Sequence, residues 1–197
     1  MSDPAAPSSD AAWVVIEAPL DAAALAAFCR DVERLYRINP YLEFRSWRET
    51  RPDEFTVSLR NLSNRRELEL RLNLERLSER DFLVRYDRGV KRSTRFEIDA
   101  VAGGSRLRIT DDYSGATEAD KPDVDSSLHA WGVALREYLL REQRWGRFAP
   151  WRWYMRRAWV PMKPSARRIT FILLMVTLGE IVLIALVMAI YWAEHRS

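Results

Sequence analysis

The chain is 197 residues long, 48% hydrophobic and 30% charged, with a net charge of +3, a length that suggests one domain with appendages and a core that is stable without disulfides. Cys29 is the only cysteine, so no internal disulfide is possible, which fits a reducing compartment. Residues 1–140 hold 21 Lys+Arg against 25 Asp+Glu, a net of −4, and residues 141–197 hold 10 against 3, a net of +7; the basic balance comes from the C-terminal segment, which argues against a nucleic-acid-binding domain and for a basic collar facing a membrane.

Met1–Ala12 is polar, carries Pro4, Pro7 and acids, and lacks the basic start and apolar run of a signal peptide. Residues 1–11 are expected to be a disordered lead. Ala12–Ala18 reads as the first strand, ended by Pro19. Asp21 then caps a helical stretch whose apolar residues Leu25, Phe28, Val32, Leu35 and Ile38 recur at spacings of three and four. A break near Arg30–Asp31 splits it into two short helices, and Asn39-Pro40 closes the unit. Cys29 falls in this stretch and reads as a small core residue.

The next part of the chain changes period. Leu68, Leu70, Leu72 and Leu74 alternate with Glu67, Glu69, Arg71, Asn73 and Glu75, the pattern of a half-buried strand. Similar alternation surrounds Leu42 and Phe44; Phe55, Val57 and Leu59; Phe82, Val84 and Tyr86; Phe96 and Ile98; and Leu107, Ile109, Asp111 and Tyr113. Turn signals at Arg51-Pro52-Asp53, Asn61–Asn64, Ser78–Arg80, Arg88-Gly89 and Gly103-Gly104 separate them, so an antiparallel meander is expected. After a polar loop, Ser114–Pro122, a long helix is predicted from Asp123 or Asp125 to about Trp145, with Val124, Leu128, Trp131, Leu135, Tyr138 and Leu139 as its apolar stripe.

Residues 148–168 form an aromatic and basic juxtamembrane segment. From Trp145 onward, Trp151, Trp153 and Trp159 are interleaved with Arg152, Arg156 and Arg157, and Arg167 and Arg168 follow; rings suit the headgroup level and guanidinium groups meet lipid phosphates. Ile169–Trp192 is a run of 24 residues with one charge, where a bilayer core of about 30 Å needs roughly 20 helical residues. It is expected to be a single transmembrane helix, leaving 193–197 as a short tail. The basic residues stand before the span, which puts the N-terminal domain in the cytoplasm, against a bacterial inner membrane. Glu180 sits at mid-span, where an ionised carboxylate is costly and must be protonated or paired. It is either a contact with a partner membrane protein or polar ligand group, or a neutral Glu that the helix tolerates.

The order strand, two short helices, six strands, long helix resembles the START-like superfamily, also called SRPBCC or polyketide cyclase-like. The stretch AAWVVIEAPLDAAALAAFCRDVERLYRINPYLEF is similar to the family's opening strand, helix pair and start of strand two, and DVDSSLHAWGVALREYLL is similar to its final helix. The resemblance covers 12–147 and implies an α+β helix-grip fold: a curved, seven-stranded antiparallel sheet around a long C-terminal helix, with an apolar ligand cavity between them. The membrane anchor departs from the usual soluble member. The cavity candidates so implied are Phe55, Val57, Leu70, Leu72, Phe82, Val84, Tyr86, Phe96, Ile98, Ile109, Asp111, Tyr113, Leu128, Trp131 and Leu135. Asp111, Tyr113 and Tyr86 share the inward register and are the polar groups among them; a buried Asp111 could serve as acid or base, or it sits at the strand end facing water or an arginine such as Arg95. Arg65-Arg66 and Lys91-Arg92 read as solvated turn charges, and His129 as a surface or edge residue.

No metal or cofactor is expected: one cysteine and two separated histidines, His129 and His195, supply no ligand set, and no phosphate-cradling glycine motif or nucleophile elbow occurs. The expected function is membrane-anchored binding or transfer of a hydrophobic small molecule (a lipid, isoprenoid or quinone), with membrane lipid as a partner. The alternatives are a cyclase/aromatase-type enzyme using Asp111 and a pocket tyrosine, and an accessory subunit of a membrane complex contacting a partner through Glu180.

Overall fold

The computed structural model of the chain describes residues 11–114, 116–117, 120 and 127–195. Residues 1–10 of the expected lead, the acidic cap at Asp123 or Asp125, Val124 of the helical stripe and most of the preceding polar loop lie outside the described residues, and Ala11, the last residue of that lead, opens the first strand. In chain order the elements are β1 (Ala11–Ala18), α1 (Ala22–Cys29), α2 (Val32–Arg37), β2 (Leu42–Arg51), β3 (Glu54–Asn61), β4 (Arg66–Arg76), β5 (Asp81–Tyr86), β6 (Ser93–Val101), β7 (Gly104–Asp112), α3 (Leu128–Trp145), α4 (Ala149–Tyr154), a wider π-helical turn at Met155–Trp159, and α5 (Pro164–His195).

The strands form one antiparallel sheet of order β1-β7-β6-β5-β4-β3-β2. The two-residue alternation sets its faces. On the β3–β4 pair, Leu59 lies opposite Leu68, Val57 opposite Leu70 and Phe55 opposite Leu72, so one face is apolar across both strands. The turns fall at the polar breaks, where Gly89 and Gly103 take φ of 98° and 81°.

Asp21 and Asp31 explain why the first helical stretch is two helices. Each carboxylate accepts from a backbone N–H three residues on, Ala24 at 2.7 Å and Arg34 at 3.1 Å, so Asp31 restarts the helix instead of continuing it. In α3 the buried residues Leu128, Trp131, Leu135, Tyr138 and Leu139 form one stripe. Gly132 lets this helix lie close on β1: a Cβ there would come within 2.8 Å of Val14 Cγ2. This is the helix-grip fold.

The space between sheet and α3 is filled with aromatic side chains. The Trp131 ring lies 5.0 Å from that of Tyr36 and 5.8 Å from that of Phe96, which stacks on Phe82 at 4.8 Å. Trp131 Nε1 donates to the Leu35 carbonyl at 3.0 Å, which gives the buried indole the partner it needs. Arg34 on α2 clasps α3: it donates to Tyr138 Oη from Nε at 3.0 Å and Nη2 at 2.6 Å, and pairs with Glu142 at 3.2 Å.

The first compact unit runs to Pro161 and the second from Met162 onward. One expectation about the aromatic segment changes. Met155 and Val160 are buried at 2% and 6% exposure, and the Trp159 ring packs 5.5 Å from Tyr138. Part of the segment therefore belongs to the domain core, because the π-helical turn after α4 directs these side chains inward. Trp145 and Trp153 are exposed, as are Arg152, Arg156 and Arg157, while Trp151 and Trp159 are half-buried. In the second unit α5 is long and apolar enough to cross a membrane, and its apolar side chains are exposed. The helix begins at Pro164, ahead of the apolar run, and takes in Arg167 and Arg168.

Candidate functional site

A cavity of about 270 Å³ lies over the apolar face of β3 and β4. Its floor is Leu59, Leu68, Leu70 and Leu72, with Leu42 of β2 beside them. The helices of the domain pack elsewhere: α1 lies against β6 and β7, α2 against β2, and α3 against β1. The leucine floor therefore has apolar side chains on the sheet side and a helix only at its margin. Tyr36 of α2, Tyr86 at the end of β5 and Tyr113 after β7 form the wall. Two turns make the rim, one through Asn61, Asn64, Arg66 and Glu67 and one through Arg88, Gly89, Val90 and Lys91. The first turn is shaped by its own side chains: Asn61 Oδ1 accepts from Ser63 N at 2.9 Å, and Asn64 Oδ1 from Arg66 N at 3.1 Å.

A chain of polar groups runs from this wall into the sheet. Thr94 and Asp111 are directly opposite each other on β6 and β7 and face inward. Asp111 is 1% exposed, and Thr94 Oγ1 donates to its Oδ1 at 2.5 Å while Lys91 Nζ donates to its Oδ2 at 3.1 Å. A carboxylate this deep is tolerable only when paired and hydrogen-bonded. Tyr86 Oη lies 2.8 Å from Thr94 Oγ1, and Tyr36 Oη lies 2.6 Å from Tyr86 Oη.

The direction of this chain follows from hydrogen counting. A hydroxyl has one hydrogen. Thr94 spends its hydrogen on Asp111, so Tyr86 must donate to Thr94, and Tyr36 to Tyr86. Tyr36, a lining residue, thus has its hydrogen committed to Tyr86 and only oxygen lone pairs left, which can accept. Burial pushes the Tyr36 phenol well above the usual tyrosine range, Tyr86 adds to that shift, and Lys91 works against it. Burial likewise raises the Tyr138 phenol, with Arg34 opposing. The Cys29 thiol is fully buried and pushed up for the same reason, which makes it a poor nucleophile.

The structure brings only some of the candidate residues to the cavity. Leu70, Leu72, Tyr86 and Tyr113 line it. Val57, Phe82, Val84, Phe96, Ile98, Ile109, Leu128, Trp131 and Leu135 are core residues and are not among its lining. Phe55 is half-buried against Trp47, ring centroids 5.5 Å apart. Asp111 stands behind the wall and reaches the pocket through Lys91 and the hydroxyls; Arg95 pairs instead with Asp81 at 2.6 Å. Lys91, read from sequence as a solvated turn charge, is only 16% exposed in its side chain because it closes on Asp111. His129 is exposed. Tyr36 is the wall residue that periodicity misses: it follows Leu35 and lies off the stripe of α1 and α2. Among the described residues no group of three His, Cys, Asp or Glu is placed to hold a metal ion.

The arrangement can seat an apolar body on the leucine floor, accept one hydrogen bond at Tyr36, and pass a proton between Tyr36 and Asp111 by way of Tyr86 and Thr94.

No family model matches the sequence. No curated protein matches it either. Solved structures do match in fold. The aromatase/cyclase Zhui from Streptomyces sp. R1128 superposes with a TM-score of 0.51 at 14% identity, covering 71% of this chain and 96% of that one. A protein of Thermus thermophilus gives 0.50 at 13% identity, covering 66% and 97%. A START superfamily protein from Mycobacterium smegmatis gives 0.49 at 14%, covering 68% and 95%. At such identities the likeness is one of fold.

Proposed function

We propose that this chain binds a hydrophobic small molecule of the lipid, isoprenoid or quinone class in the leucine-floored pocket, and that α5 anchors the domain in a membrane. The observation that carries this reading is the pairing of an apolar floor with a hydroxyl acceptor, Tyr36, at one wall. Sites for small molecules have this composition: mostly apolar surface and a few placed polar groups. Each CH₂ removed from water contributes about 0.8 kcal/mol, and such ligands are nearly insoluble. A cavity of 270 Å³ is just below the roughly 300–1,000 Å³ of drug-sized sites. It therefore takes a compact amphiphile or one end of a longer chain. Tyr36 favours a polar end that donates, such as an alcohol or a reduced quinol, over a quinone carbonyl, which only accepts.

The anchor gives proximity to the source of such molecules. Arg156, Arg157, Lys163, Arg167 and Arg168 precede the apolar run, which favours a cytoplasmic domain at a bacterial inner membrane. The exposed Trp145, Trp153, Arg152, Arg156 and Arg157 suit the headgroup layer.

The test is mass spectrometry of organic extracts from the gently purified full chain, beside a Leu72→Trp variant that fills the pocket. A bound lipophile in the wild type, lost from the variant while its circular dichroism is unchanged, is the expected result. Equal lipid content in both proteins would defeat the proposal.

One observation favours an enzyme as a second reading: the hydroxyl chain gives Tyr36 a proton path to a buried carboxylate. An acid–base step on a lipophilic substrate, of the cyclase type, would use it. Asp111→Asn separates the two readings, since a carrier keeps its ligand content and an enzyme keeps binding but loses turnover.

A further inference from the structure

The apolar helix α5 carries a polar seam. Thr170, Thr177, Glu180 and Tyr191 are the residues of Ile169–Trp192 that bear a hydroxyl or carboxyl group. Thr170, Thr177 and Tyr191 are separated by multiples of seven, and Glu180 follows Thr177 by three. In an α-helix these four fall within an arc of about 80°. With Leu173, Ile184 and Val187 they occupy the alternating three- and four-residue spacing of a left-handed two-helix seam. The rest of the circumference in this run is apolar. None of its most apolar stretch is buried against the chain itself.

We propose that α5 pairs through this seam with α5 of a second copy of the chain, in parallel, inside the membrane. The inference rests on the anchoring reading above. A lipid-facing helix gains nothing from a polar stripe, whereas helix–helix contacts in lipid are held by such side chains. The chemistry of the seam identifies the partner. A threonine or tyrosine hydroxyl and a neutral carboxyl group each donate and accept. Thr170 Oγ1 donates to Met162 Sδ at 4.0 Å and the Tyr191 ring stacks on His195 at 4.0 Å, so Thr177 and Glu180 are the centre of the seam; each can pair with its own equivalent, and neither demands an opposite charge. Two copies inserted the same way put Glu180 beside Glu180 and Thr177 beside Thr177 at one depth, which is the self-complementarity a two-fold interface requires.

Single cysteines placed in the full chain in membranes test this. Thr177→Cys and Ile184→Cys lie on the seam; Met175→Cys and Val182→Cys lie opposite. Cys29 is fully buried and stays in place. On mild oxidation the seam pair should give disulfide-linked dimers and the opposite pair should not. In detergent, Glu180→Leu should weaken the dimer about tenfold, the scale of one interhelical hydrogen bond in model peptides, while Glu180→Gln should hold it. Equal cross-linking on both faces, none on the seam, a seam adduct with a protein of another mass, or an unchanged dimer in Glu180→Leu would overturn the inference. Alkaline carbonate extraction separates the two claims. A chain released from the membrane defeats anchoring and this pairing together, and a retained chain with a silent seam defeats the pairing alone.

Discussion

The inner face of the sheet is built everywhere from the same alternating residues, yet its two sides end differently. Over β6, β7 and β1 the residues Phe96, Leu107 and Ile109 are fully buried beneath α1 and α3. Over β3 and β4 the equivalent leucines floor a cavity. The strands do not cause this difference. It comes from where the helices land: Gly132 seats α3 on β1 and α1 lies on β6 and β7, while the leucines of β3 and β4 meet α2 through Tyr36 at the pocket wall. A pocket in this fold is a stretch of core whose covering helix lies elsewhere.

The contrast can be broken most forcefully at the filled side. Trp131→Ala removes a side chain that meets Tyr36, Phe96 and the Leu35 carbonyl, and should cost about 3–5 kcal/mol in urea unfolding. Enlarging one leucine on each side sharpens the comparison. Leu107→Phe, in a site with no exposure, should cost about 1–3 kcal/mol, whereas Leu70→Phe has cavity to enter and should stay within about 1.5 kcal/mol. Equal costs would mean that the cavity is not available to a side chain. Tyr36→Phe removes the first hydroxyl of the relay and should cost about 1 kcal/mol, with loss of any ligand that donates to it.

The smallest effect near neutrality is the pH dependence. The Tyr36 and Tyr138 phenols are raised by burial, so above the ordinary tyrosine value of about 10 the unfolded chain loses protons that the folded chain keeps. Stability should be full below that pH and fall as pH climbs toward the folded-state values. Urea midpoints between neutral and alkaline pH would show it, and the fall should be shallower in Tyr36→Phe.

The succession of strands and helices along the chain, the split at Asp31 and the stripe of α3 were legible in the sequence because each is a local pattern: period two, a cap, period near four; the pairing of β1 with β7 joins the two ends of the domain and shows no local sign. Leu70, Leu72, Tyr86 and Tyr113 were legible as inward-facing for the same reason. Which inward residues face a cavity was not, since the difference between Leu70 and Leu107 lies in the covering helices. Tyr36 escaped because side-chain reach across α2, and not its place on the stripe, brings it to Tyr86. Lys91 escaped because a turn lysine shows no sign in sequence of the buried carboxylate that captures it. Met155, Val160 and Trp159 escaped because a π-helical turn rotates the spacing away from the regular helix.

The sealed position of Cys29 makes the chain its own clock. With 0% exposure and a thiol held in its protonated form, it meets a maleimide or a disulfide reagent only when the domain opens. The labelling rate of the native sequence under excess reagent therefore counts opening events directly, without a dye or a mutation. Comparing that rate with and without an added lipophile would report occupancy of the pocket as a slowing of the clock.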